Sequence, residues 1–164
     1  MADKLDVKII TPERVVFSHP AESVLLPGTV GEMEILPGHV ALFSTLKPGQ
    51  ITVRDGSKQA IFSGGTGIVE VCSNHVSLLV DSAVGNSEID PKEAERLIAE
   101  AEDRLKNLSS EDEEQRFAFE TQLATARARI EVYERVGNTE DKESMFSQMN
   151  LEPVKKDNDS GSSV

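Results

Sequence analysis

Tryptophan is missing from the 164 residues, and aromatic side chains make up only 4% of them. The core therefore has to come from Val, Ile and Leu, with few large anchors. Cysteine is almost absent as well. The lone Cys72, in the run IVEVCS, excludes an intramolecular disulfide and favours a reducing compartment. It reads as a small, partly buried strand residue, because no paired base marks it as a nucleophile. Basic residues are scarce: 17 Lys and Arg face 29 Asp and Glu, for a net charge of −12. That balance excludes a cationic nucleic-acid surface and direct docking to anionic lipid. No stretch approaches the roughly 20 apolar residues that span a bilayer. The opening MADKLDVKII lacks the apolar run of a signal peptide. A soluble protein is expected, held at a membrane only by a partner.

The remaining residues fall into three segments. Over 1–87, short β-rich runs alternate with turn signals. Leu5, Val7 and Ile9 alternate with Asp6 and Lys8, giving one dry face and one wet face. RVVF, SVLL, ITVR, AIF, IVEV and VSLLV follow. Asp55-Gly56 reads as a two-residue hairpin turn with positive φ at both positions. Pro-Gly pairs at 27–28, 37–38 and 48–49, with Gly64-Gly65 and Ser73-Asn74, punctuate the rest. The fold class is α+β: a β-sandwich or flattened barrel of about 8–10 short strands, then an antiparallel two-helix hairpin.

The hairpin occupies 88–137. Asp90 is placed to cap the first helix, Pro91 suits its first position, and Glu93 completes a capping box. Ala94, Leu97, Ile98, Ala101, Leu105 and Leu108 share one face. Ser109 or Ser110, followed by EDEE, starts the second helix, with Phe119, Leu123, Ala126, Ile130 and Tyr133 as its stripe and Gly137-Asn138 as its end. Alanine-rich stripes imply modest packing, so the hairpin is expected to be separable. Acids outnumber bases here by 14 to 8 over 88–136, against 9 to 6 over 1–87. The polar stretch 138–164 reads as disordered, with a short helix conceivable near 143–149.

Catalytic patterns are weak. His19, His39 and His75 sit among turns, in no metal-ligand spacing. Glu32 and Glu34 are two apart on a strand and read as solvated carboxylates. SGGTG at 63–67 lacks the Lys-Ser or Lys-Thr of a phosphate loop and reads as a tight turn. Arg127, Arg129 and Arg135 on the second helix either make weak local ion pairs or meet an acidic partner, to which the planar guanidinium is suited.

The order of parts resembles the epsilon subunit of bacterial F-type ATP synthases, the counterpart of the mitochondrial delta subunit. LDVKIITPERVVFS is similar to that family's first hairpin, GEMEILPGHVALFSTLKPG to its most recognisable motif, and FSGGTGIVEV to its SGG strand. LLVDSAV followed by EID matches the exit into the helices, and the resemblance spans about residues 4–136. It implies a non-catalytic rotor subunit without cofactor or metal, peripheral on the cytoplasmic face of the bacterial inner membrane. Its partners would be gamma, the membrane ring and the catalytic alpha and beta subunits. Gly31, Glu32, Gly38, His39 and Leu42 would grip gamma and the ring. Arg127, Arg129 and Arg135 would face an acidic segment of the catalytic head, where an extended hairpin hinders ATP hydrolysis.

Some members bind ATP at the hairpin. In this sequence the corresponding motif, Ile89-Asp90-Pro91-Lys92-Glu93-Ala94, carries Glu93 in place of an arginine. Thr125 and Glu100 stand at two further arginine positions, and only Arg129 matches. No useful ATP binding is expected. Two other readings stay open on the residues alone. One is a free-standing β-sandwich binding module with a helical appendage. The other is an enzyme working through His39 and Glu32.

Overall fold

A computed structural model describes residues 3–137. The expectations for 138–164 lie outside the described residues. The strands are β1 (Leu5–Ile10), β2 (Val15–Ala21), β3 (Ser23–Gly28), β4 (Gly31–Ile35) and β5 (Leu42–Leu46), then β6 (Gly49–Asp55), β7 (Lys58–Gly64), β8 (Gly67–Cys72), β9 (His75–Val80) and β10 (Ala83–Gly85). A 3-10 turn at Asn86–Glu88 leads into α1 (Pro91–Lys106) and α2 (Glu113–Gly137).

One hydrogen-bonded path, β10-β7-β6-β3-β5-β8-β9-β1-β2, folds into two layers, with β4 added on β3. The layers join through a single pairing, Gly28 with Leu46. All pairings are antiparallel except β1 with β9, which is parallel. Alternation decides which side chains go inward: Leu5, Val7 and Ile9 are fully buried, as are Val24, Leu26, Val69, Val76 and Leu78. Each large aliphatic buried in this way contributes roughly 1.5–3 kcal/mol. Two rings share the core: Phe17 and Phe62 meet edge to face with centroids 5.5 Å apart.

Pro20 lies inside β2, where the sequence pattern ended the strand at Phe17. The edge position of β2 explains this, because an edge strand tolerates the missing N–H of proline. The hairpin turn between β6 and β7 is also shifted by one residue. Asp55 pairs with Lys58, so the turn residues are Gly56 and Ser57, and only Gly56 has positive φ (62°). Glycine at the first central position suits a type II′ turn, not the type I′ turn that Asp55-Gly56 implied. The turn with two left-handed residues is instead Ser73-Asn74 (φ 48° and 64°), between β8 and β9.

Asp90 caps α1 by accepting hydrogen bonds from the Lys92 and Glu93 amides at 3.0 and 3.3 Å. Glu93 does not complete the capping box. Its carboxylate is held by Arg96 at 2.8 and 3.0 Å, which starts an exposed ladder continuing to Glu100 and Arg104. Asp90→Ala should therefore cost about 1 kcal/mol. Hydrogen exchange should show the loss in the first turn of α1, with strand amides unchanged.

Ser109 forms a turn ahead of α2 by accepting from the Glu111 amide at 3.5 Å; the helix itself begins at Glu113. α2 buries two sides. Ala126 faces α1, while Ala128 and Val132, absent from the single stripe read in sequence, are also buried. Val132 and Val136 pack with Ile61, Val84 and Ile89 in a small second core. Tyr133, assigned to the stripe, is 44% exposed. The hairpin thus lies folded on the β6–β7 layer.

Candidate functional site

The loop after β4 is a turn first and a surface second. The His39 amide donates to the Leu36 carbonyl at 3.1 Å, closing Leu36-Pro37-Gly38-His39. Proline then glycine with φ 84° at the two central positions is the combination a type II turn requires. The Gly38 amide donates to the Asn74 side-chain oxygen at 2.8 Å, tying this loop to the β8–β9 turn. His39 Nδ1 lies 2.8 Å from the Val40 carbonyl.

The residues that resemblance assigned to the rotor grip do not form one cluster. Gly31 and Glu32 begin β4 beside the β3–β4 tip; Gly38 and His39 follow its far end, roughly 13 Å or more away along the strand. That separation also keeps Glu32 and His39 from acting as a pair. Leu42 is half-buried against the main core. Glu34 pairs with Arg54 at 3.5 Å on the outer surface.

Among the described residues, no group of three or more His, Cys, Asp and Glu is arranged to hold a metal. His75 Nδ1 lies 3.1 Å from Asp6, and Cys72, opposite His75 at the end of β8, is exposed rather than partly buried. The terminal position of Cys72, beside the turn, explains its exposure.

A more coherent surface lies on the outer side of the β5-β8-β9-β1-β2 layer. Val15 pairs with Ile10, Ile10 with Leu79, and Leu79 with Ile68. These four outward positions form an apolar row across four strands. Val15 is 46% exposed, Leu79 43% and the neighbouring Phe43 67%. At the β3–β4 tip, Val30 is 98% exposed. Such a row is costly in water and makes this face a candidate contact surface. The sequence carried its signal: VSLLV and VKII place apolar residues at both parities of a strand, so both faces want cover.

The hairpin arginines take three different places. Arg127 bridges to Glu102 on α1 at 2.9 Å. Arg135 pairs with Glu131 and reaches Gln50 of β6 at 3.5 Å. Arg129 lines a cavity of about 480 Å³ between the helices and the β9–β10 turn, together with Asp81, Glu100, Arg104 and Thr125. Arg104 donates to Glu100 at 2.6 Å and stands 5.4 Å from the Phe119 ring centre. Glu93 is held below the usual glutamate range, chiefly by its hydrogen bond to Arg96. A depressed carboxyl pKa stabilises the fold above the ordinary range and loses that contribution as pH falls through the folded value. Acid titration should accordingly loosen the first turns of α1 before it loosens the strands, as exchange or NMR would register.

Together these features define a two-layer β-sandwich that carries a folded helical hairpin on one face and an apolar row on the other. Residues 4–86 match the family described as ATP synthase, Delta/Epsilon chain, beta-sandwich domain. The chain is 36% identical over 127 residues to the ATP synthase epsilon chain of Synechococcus elongatus, covering 77% of this chain and 93% of that one. It is 38% identical over 125 residues to the ATP synthase epsilon chain of Myxococcus xanthus, covering 76% and 88%. A solved chain of the Euglena gracilis mitochondrial ATP synthase has the same fold, with a TM-score of 0.64 and 22% identity over 76% of this chain and 78% of that one. The chain belongs to the ATP synthase delta/epsilon family. Among the described residues, no helix is long and apolar enough to cross a membrane.

Proposed function

We propose that the chain is a non-catalytic central-stalk subunit of an F-type ATP synthase. In this reading it binds gamma through its sandwich, couples gamma to the membrane ring and restrains ATP hydrolysis through its hairpin. The apolar row Val15–Ile10–Leu79–Ile68, on the face opposite the hairpin, is the observation that carries it. A surface of that kind wants a permanent partner, and its position leaves the hairpin free to act separately. The ring contact falls to the tip around Val30, Gly31 and Glu32. Arg135 reaches the catalytic alpha and beta subunits only when the hairpin leaves the sandwich, because docking engages it with Gln50, while Arg129 and Arg127, the latter paired with Glu102 within the hairpin, travel with it. The complex would hold the chain at the cytoplasmic face of a bacterial inner membrane.

Hydrolysis by a purified catalytic head with its gamma subunit tests both parts. The full chain and a chain ending at Asn86 should both bind, and only the full chain should slow hydrolysis. Failure of both to bind gamma would overturn the stalk reading. Binding by both without inhibition would remove the brake alone. The cavity at Arg129 is proposed not to serve ATP, because Asp81 and Glu100 line it and Glu93 stands at a motif position arginine would fill. Calorimetry should find no micromolar ATP binding.

A further inference from the structure

The seat of α2 on the sandwich is half apolar and half polar. Ile61 and Val84 supply the apolar half from the strands. On the same outward side, Gln50 pairs with Ser63 and Thr52 pairs with Ile61 across β6 and β7. Strand alternation puts Ser63 two residues from Ile61 on the side that α2 covers. β6 and β10 flank β7 laterally, so the helix closes this surface.

The polar half is unevenly satisfied. Thr52 is 2% exposed, and its hydroxyl accepts from the Gln50 amide nitrogen at 3.0 Å. The Gln50 amide oxygen in turn receives a long contact from Arg135 at 3.5 Å. Ser63 is also 2% exposed, but its hydroxyl has no hydrogen-bond partner among the described residues. Docking of the helix removes that hydroxyl from bulk water. A buried hydroxyl without a partner penalises the state that buries it. The penalty falls on the docked hairpin and not on the sandwich, since Ser63 lies outside the main core.

We infer that Ser63 is a release element: its unpartnered hydroxyl keeps the hairpin's docking weak enough to reverse. The inference rests on the hairpin being a movable part in the proposed function. Alanine at this position removes the hydroxyl and leaves only a small void. Threonine keeps the hydroxyl and adds a methyl beneath the helix.

Hydrogen exchange on the full chain tests it, with peptides from α2 compared with peptides from β8 and β9. Ser63→Ala should slow α2 exchange about tenfold, the order expected for an unsatisfied hydroxyl removed from a buried site. Ser63→Thr should speed it, and strand exchange should stay unchanged in both. Unchanged or faster α2 exchange in Ser63→Ala overturns the inference, whatever happens to hydrolysis. The assembled head with gamma supplies a second readout, where Ser63→Ala should inhibit hydrolysis less. Slower α2 exchange with unaltered inhibition would uphold the role of Ser63 and overturn the brake.

Discussion

Leu79→Asp should sharply weaken capture of the chain by a gamma subunit while leaving the sandwich folded. Leu79 sits mid-row, paired with Ile10 on one side and Ile68 on the other, and its side chain already meets water. A carboxylate there costs the free protein little; Lys8, one row away on β1, offers it a cation. In the proposed assembly the same carboxylate would enter an apolar contact without a matched partner. Such a charge costs about 2–5 kcal/mol, or at least a factor of about thirty in affinity. Calorimetry against gamma reads the affinity, and a melting curve reads the fold. Wild-type affinity in this variant would place the gamma contact elsewhere.

The largest loss of stability is expected at Gly67→Ala. A methyl on Gly67 would press against the Leu79 carbonyl oxygen and lie 2.7 Å from Val80 Cα. Both are backbone atoms of the strand that pairs with β8, so neither can yield without breaking the β8–β9 register. A cost of about 3 kcal/mol, the upper end for overpacking, is expected. Gly38→Ala makes the instructive comparison. Nothing lies within 4 Å of the added methyl, and the penalty comes from φ 84° alone. That penalty is roughly 1–2 kcal/mol. Urea midpoints should rank Gly67→Ala well below Gly38→Ala, and the opposite order would refute the steric account.

These cases show what a one-dimensional pattern conveys. Leu5, Val7 and Ile9 announce their strand because period-two alternation is a local property. Asp90 and Pro91 announce a helix start for the same reason. The layers and the family resemblance were legible too, since many short strands between Pro-Gly breaks leave few architectures. The crowding at Gly67 was not legible: it depends on which strand lies alongside, 12 residues further on. Val132 lies off the stripe that a single 3.6-residue period marks, because α2 has two burial faces. The split of Gly31 and Glu32 from Gly38 and His39 was hidden by their nearness in sequence, although a strand between them carries them to opposite ends. The Ser63 hydroxyl shows only when α2 is known to close over it.

The parallel pairing of β1 with β9 has a consequence for how the chain is made. β1 leaves the ribosome first and finds β2 within a few residues, but its other edge waits for residues 75–79. At about 5–20 residues per second, that wait lasts several seconds. Over that interval the nascent chain carries an open strand edge, the feature most prone to pairing with a neighbour. β9 seals it, and α1 and α2 emerge only afterwards. The helical hairpin therefore follows every strand of the sandwich in the order of synthesis. A chain cut short before residue 75 would keep that open edge, whereas one ending at residue 86 would hold every strand of the sandwich and neither helix.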